Sequence, residues 1–84
     1  MIKILPCSSR ILTIISKHSL QKKFTKQIAL LSENPKHPSL HVELLEPKSK
    51  CIYSFRVDRK YRALFFFRPD KQSVEILAVT VHYK

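Results

Sequence analysis

The sequence contains no glycine at all. Its turns therefore rest on Pro, Asn, Asp, Ser and Lys, and the Gly-rich loops that cradle nucleotide phosphates are excluded. Acidic residues are scarce too: six Asp and Glu stand against sixteen Lys and Arg, a formal net charge of +10. Such an imbalance points to a polyanion, whether nucleic acid, an anionic membrane surface or an acidic protein; the plainer alternative is a basic surface that serves only solubility. The charge is uneven, since Lys3, Arg10, Lys17, Lys22, Lys23 and Lys26 all precede the first acid, Glu33. Of the two cysteines, Cys7 and Cys51, neither has a near neighbour in sequence. Nothing else looks secreted, so two reduced thiols are expected. Long apolar runs are missing as well. The start Met-Ile-Lys-Ile-Leu-Pro lacks the core of a signal peptide, and no segment approaches the ~20 apolar residues of a membrane span. These absences together suggest a soluble, cytosolic protein with no membrane partner.

What is present suits one small α+β domain spanning residues 1–84. The 44% hydrophobic content and five Phe can supply one core and argue against disorder. Ile2–Leu5, closed by Pro6, reads as a short strand. Ser8 and Ser9 offer caps for a helix over Arg10–Lys17, although the β-branched Ile11, Ile14 and Ile15 leave a strand open there. Ser19 then offers an N-cap to a helix in which Leu20, Phe24, Ile28 and Leu31 recur at helical spacing, with Lys22, Lys23 and Lys26 mostly off that stripe. Asn34-Pro35 ends it. The segment 35–39 is a turn, 41–45 is extended, and 46–50 is a polar loop. After it the period becomes two: Ile52–Val57, a tight turn at Asp58-Arg59-Lys60, Tyr61–Arg68, a turn at 69–72, and Ser73–Val81. The expected architecture is β-α-α-β-β-β, a helical hairpin with a basic outer face covering one side of an antiparallel sheet.

No metal constellation stands out. Cys7 and Cys51 have no close partner cysteine, and His37 and His41 fall on a Pro-containing loop, where solvent-facing histidines are the better reading than a zinc site. The meander is more informative. Alternation puts Tyr53, Phe55, Val57, Tyr61, Ala63, Phe65 and Phe67 on one face, leaving Ser54, Arg56, Arg62, Leu64, Phe66 and Arg68 on the other. Arg56 and Arg62 can then meet across the hairpin, either as a phosphate clamp or as two arginines on a solvated face. The chain closes on Val81-His82-Tyr83-Lys84. His and Tyr beside two Arg are the residue types RNA cleavage calls for, since Arg stabilises growing phosphate charge and His moves a proton near neutrality. The alternative is a frayed tail.

Taken in order, the run Leu30-Leu31-Ser-Glu-Asn-Pro35-Lys-His-Pro38-Ser-Leu40, then Tyr53-Ser-Phe55-Arg56-Val57, Tyr61-Arg62-Ala-Leu-Phe65 and the terminal His82-Tyr83 resemble the RelE/ParE superfamily of type II toxins over nearly the whole chain. The resemblance implies a helical hairpin on a twisted antiparallel sheet and, as activity, ribosome-dependent mRNA cleavage without a metal or other cofactor, the RNA's own 2′-OH attacking the adjacent phosphate. It implies a cognate antitoxin, the ribosome and mRNA as partners. By position, Arg62 matches the arginine at the scissile phosphate, and Arg56 a basic or histidine position on the preceding strand. His82 matches the C-terminal general acid of the YoeB-like and YafQ-like branches, and Tyr83 the terminal tyrosine of the YoeB-like branch. Glu43 stands where that branch carries a carboxylate base. Lys17, Lys22, Lys23 and Lys26, with Arg59 and Lys60 in the turn, are then expected to meet RNA phosphates. The tail lacks the glycine that often precedes the histidine, and the lysine–arginine cluster of RelE proper is not reproduced. Two rival readings share the fold: a ParE-like gyrase poison, and a degenerate toxin that keeps only its antitoxin contact.

Overall fold

The computed structural model describes residues 1–81. The first strand, β1 (Lys3–Ile4), is anchored twice at its start. Ile2 donates its N–H to the Ser32 carbonyl at 2.8 Å, and Ser32 Oγ donates to the Ile2 carbonyl at 2.7 Å. Helix α1 (Ser9–Lys17) begins where Ser8 Oγ accepts the Ile11 N–H, satisfying one of the unpaired donors of the first turn. Ile11 and Ile15, one helical turn apart, are buried, and this shared face decides for helix over the strand that the β-branched run left open.

The link to helix α2 (Gln21–Glu33) departs from expectation. Ser19 does not cap α2; it takes a left-handed conformation (φ 55°), and Leu20 occupies the N-cap position with no side-chain cap. The chain has only three residues in which to reverse between the helices, and one of them must adopt positive φ. With no glycine available, Ser19 takes that position, and Leu20 is spent on the core, 2% exposed. Phe24 and Leu31 lie on the buried face of α2 as the stripe required, with Ile28 half-buried against the same core. Gln27 lies among them, and Asn34, extended, ends the helix before Pro35.

A 3₁₀ turn at Pro38–Leu40 leads to a two-residue strand, β2 (Glu43–Leu44), and a second 3₁₀ turn at Lys48–Lys50 leads to β3 (Tyr53–Arg56). Strands β3, β4 (Tyr61–Phe67) and β5 (Ser73–Val81) form the expected antiparallel meander. The sheet is wider than the meander, in the order β1-β5-β4-β3-β2: β1 adds parallel to β5, and β2 adds antiparallel to β3. The β4–β5 register shifts by one residue between Leu64↔Ala78 and Phe65↔Ile76. Leu77 is the extra residue, and this bulge lets Val74, Ile76 and Val79 all face inward although their spacing breaks a strict alternation.

The covered face is the one alternation assigned. Phe55, Val57, Ala63 and Phe65 are buried beneath the helices. Phe24 of α2 meets Phe55 with ring centroids 6.2 Å apart, Phe55 meets Phe65 at 5.8 Å, and Phe65 meets Tyr53 at 5.7 Å. This aromatic row fastens α2 to the hairpin that carries the two sheet arginines. Cys7 and Cys51 are free thiols; burial pushes the Cys7 thiol up, and Cys51 is exposed. No helix among the described residues is long and apolar enough to cross a membrane.

Candidate active site

The uncovered face of the hairpin carries the candidate site residues. Arg56 and Arg62 are direct partners across β3 and β4, and Glu43 of β2 is the partner of Ser54. Because paired residues share a face, Glu43, Ser54, Arg56 and Arg62 all lie on the side opposite the helices, with Thr80 of β5 opposite Arg62. The structure thus brings together three of the residues the sequence singled out: Glu43, Arg56 and Arg62. His82 and Tyr83, the other two, lie outside the described residues.

The two arginines are unlike. Arg56 is half-exposed, whereas Arg62 is 6% exposed and is no part of a solvated face. Its Nε donates to Ser54 Oγ at 3.1 Å and its Nη2 donates to the His41 carbonyl. Burial draws the Arg62 pKa down, Glu43 opposes that, and the like charge of Arg56 adds to it. Neither ion pair among the described residues involves Arg62, so a buried guanidinium faces its paired arginine without a bonded carboxylate. Such a pair of cations, set side by side by strand pairing against their mutual repulsion, favours an anion between or above them.

Arg56 opens onto a second feature. With Lys23, Lys26, Arg59 and Lys60 it borders a cleft of about 450 Å³ between α2 and the β3–β4 turn. Asp58 is the one carboxylate there. Its Oδ1 accepts the backbone N–H groups of Lys60 and Tyr61, both at 2.8 Å, closing the turn without glycine, and its Oδ2 lies 3.4 Å from Lys23 Nζ. Burial pushes the Asp58 carboxyl up, but the Tyr61 and Lys60 amides and the Lys23 ammonium outweigh it and hold the group below the usual carboxylate range. Five cations around one engaged carboxylate leave the cleft strongly positive. Of the six cations expected to meet RNA, Lys23, Lys26, Arg59 and Lys60 gather here. Lys22 is exposed outside this cleft, and Lys17 borders a separate hollow with Ser9, Leu12, Thr13 and Ser16.

Three contributors escaped the sequence reading. Gln27, 7% exposed, donates from Nε2 to the Arg56 carbonyl at 2.7 Å and to the Ser39 carbonyl at 3.2 Å, tying α2 to the end of β3. The signal was there: an amide three residues after Phe24 and four before Leu31 sits on the apolar stripe, where a polar group must find partners. Ser54 carried a weaker signal, a small hydroxyl beside Arg56 on the uncovered face. The His41 carbonyl carried none, because its direction depends on a left-handed backbone (φ 47°). His37 is engaged locally, its Nδ1 accepting the Ser39 N–H at 3.2 Å, and no three metal-ligating side chains converge among the described residues.

No family model matches the sequence, and neither does any curated protein. Solved structures do match. A YoeB/ParE toxin from Agrobacterium tumefaciens superposes with a TM-score of 0.72 at 15% identity, covering 98% of both chains. The archaeal RelE in its complex with RelB from Pyrococcus horikoshii OT3 gives 0.74 at 14% identity, over 95% of this chain and 93% of that one. The heterotetrameric YoeB-YefM toxin–antitoxin complex from Staphylococcus aureus gives 0.68 at 16%, over 99% and 97%. Similarity this extensive at such low identity speaks to architecture: the chain has the fold of the RelE/ParE toxins.

Proposed function

We propose that the chain, as one toxin domain, is the toxin of a type II toxin–antitoxin pair and an endoribonuclease that cuts mRNA on the ribosome. The observation that carries this reading is the face on which Arg56 opposes Arg62, with Glu43 on the neighbouring strand and a five-cation cleft adjoining Arg56. Two guanidiniums can hold the scissile phosphate and stabilise the charge that grows on it, often the largest catalytic contribution in such reactions. Glu43, exposed at the sheet edge, accepts the proton of the 2′-OH as that oxygen attacks phosphorus. His82, one residue beyond the end of β5, gives a proton to the departing 5′-oxygen, and Tyr83 helps hold the phosphate. The P–O5′ bond breaks as the 2′-O–P bond forms, leaving a 2′,3′-cyclic phosphate and a 5′-hydroxyl. This chemistry calls for no metal ion, because the nucleophile belongs to the RNA. Lys23, Lys26, Arg59 and Lys60 dock the cleft on ribosomal RNA phosphates, with Lys17 and Lys22 contributing further along the helices. Ribosomes place the reaction in the cytosol. The RelE–RelB and YoeB-YefM complexes support a cognate antitoxin as the protein partner.

The test is mRNA cleavage on translating ribosomes by the wild type, Arg62→Ala and His82→Ala. Cleavage within codons by the wild type is expected, with losses of about 10²–10³-fold in each variant. Full activity in both variants overturns the site. Growth arrest with DNA damage and intact mRNA points instead to a gyrase poison, and absence of any phenotype to a degenerate toxin.

A further inference from the structure

Three separate chain segments converge on one guanidinium. Arg62 comes from β4, Ser54 from β3, and His41 from the loop two residues before Glu43. Ser54 is 1% exposed and Arg62 6%, so this contact is shut off from water. A guanidinium carries five N–H donors in a rigid planar fork. The contacts to Ser54 and His41 occupy Nε and Nη2, which form one edge of that fork. Among the described residues no hydrogen bond and no carboxylate ion pair takes the other edge, Nη1 with the remaining Nη2 hydrogen.

We propose that Ser54 is a positioning residue: with the His41 carbonyl, it clamps the Nε/Nη2 edge of Arg62 so that the Nη1/Nη2 end is fixed as an anion-binding fork. The inference rests on the endoribonuclease reading for the identity of the anion, the scissile phosphate. Fixing the fork beforehand removes the cost of ordering a long side chain when the phosphate arrives. The same clamp ties the loop carrying Glu43 to the arginine it works beside, because the His41 carbonyl is held by Arg62 itself. Base and phosphate clamp are thereby positioned as one unit across three strands.

The experiment has two arms that fail separately. The first needs no activity: hydrogen exchange at Arg62 Nε, followed by nitrogen-detected NMR, in wild type, Ser54→Ala and Ser54→Thr. The clamp requires a protected Nε–H in the wild type, exchange at least about tenfold faster in Ser54→Ala, and protection restored by threonine, which keeps the hydroxyl. Unchanged exchange in Ser54→Ala overturns the clamp whatever the protein cleaves. The second arm is cleavage kinetics on programmed ribosomes. Ser54→Ala should lower kcat about 10–100-fold with KM nearly unchanged, Ser54→Thr should recover most of it, and Ser54→Ala should add no further loss in an Arg62→Lys background, since lysine has no Nε edge to clamp. Losses that simply add, or that appear in KM alone, overturn the positioning role. A wild type that cuts no mRNA overturns the proposed reaction, while the exchange arm still decides the clamp.

Discussion

Replacing Gln27 by leucine should destabilise the protein far more than its neighbours would suggest. Gln27 donates at 2.7 Å to the Arg56 carbonyl and at 3.2 Å to the Ser39 carbonyl from a site only 7% exposed. Leucine has nearly the same volume and would fit the stripe between Phe24 and Leu31, so the loss isolates the two hydrogen bonds rather than a cavity. Each such bond contributes about 0.5–1.5 kcal/mol net, and the expected loss is therefore about 1–3 kcal/mol. A domain of this size is stable by roughly 4–13 kcal/mol, which makes the loss a large fraction of the whole. Converted at about 4–8 °C per kcal/mol, it corresponds to a Tm lowered by roughly 4–24 °C. Urea titration with far-ultraviolet circular dichroism measures it directly. The midpoint should fall while the slope with denaturant stays constant, since the substitution leaves the surface exposed on unfolding unchanged. Lys26→Ala, one residue away on the exposed side, serves as control and should stay within about 0.5 kcal/mol. A Gln27→Leu protein within that same margin refutes the claim that this amide fastens α2 to the end of β3.

Asp58 gives a pH signature. Its folded pKa is depressed, so the unfolded chain takes up the proton more readily; its stabilisation is present above about pH 4 and lost as pH falls below that through the folded value. Asp58→Asn keeps an acceptor for the Lys60 and Tyr61 amides but should flatten stability against pH below about pH 4, whereas Asp58→Ala should lose about 1–2 kcal/mol at neutral pH as well; thermal unfolding across pH 2–7 separates the two, and parallel curves for wild type and Asp58→Asn contradict the assignment. If Lys23, Lys26, Arg59 and Lys60 each neutralise one phosphate, log K for ribosome binding should fall against log salt with a slope of about −3 to −4, and each Ala substitution should make it shallower by roughly 0.7–0.9. A slope indifferent to these substitutions sends the docking surface elsewhere. Lys17→Ala, away from the cleft, should change the slope less than Lys26→Ala does.

How much of this was legible in the sequence depended on range. Period-two alternation placed Phe55 and Phe65 in the core and set Arg56 opposite Arg62, because both facts follow from local geometry once the Asp58-Arg59-Lys60 turn fixes the register. The parallel pairing of Lys3 and Ile4 with Ser73 and Val74 was out of reach, since it joins segments far apart in the chain and a two-residue strand leaves no periodic trace. Ser19 read as a cap because serine usually is one; only the three-residue reversal, with no glycine to hand, shows why it sits at positive φ. The burial of Arg62 was hidden for a related reason. An arginine on an uncovered strand face reads as solvated, and what covers it is a loop whose path turns on the left-handed His41. Gln27, and more weakly Ser54, were missed signals rather than missing ones.

The charge that dominates the composition gathers in a basic cleft and a pair of sheet arginines, and under the proposed function only the second does chemistry. The measurement that tests this most directly is mapping of 5′ ends on mRNA from translating ribosomes treated with wild type, Arg56→Ala and a triple Lys23→Ala/Lys26→Ala/Lys60→Ala variant. New 5′-hydroxyl ends within codons are expected for the wild type. Arg56→Ala should lose at least about 100-fold at saturating protein, and the triple variant should recover near wild-type cleavage once its concentration is raised or the salt lowered. Arg56→Ala cutting as well as the wild type, or the triple variant remaining inactive at any concentration, would contradict it.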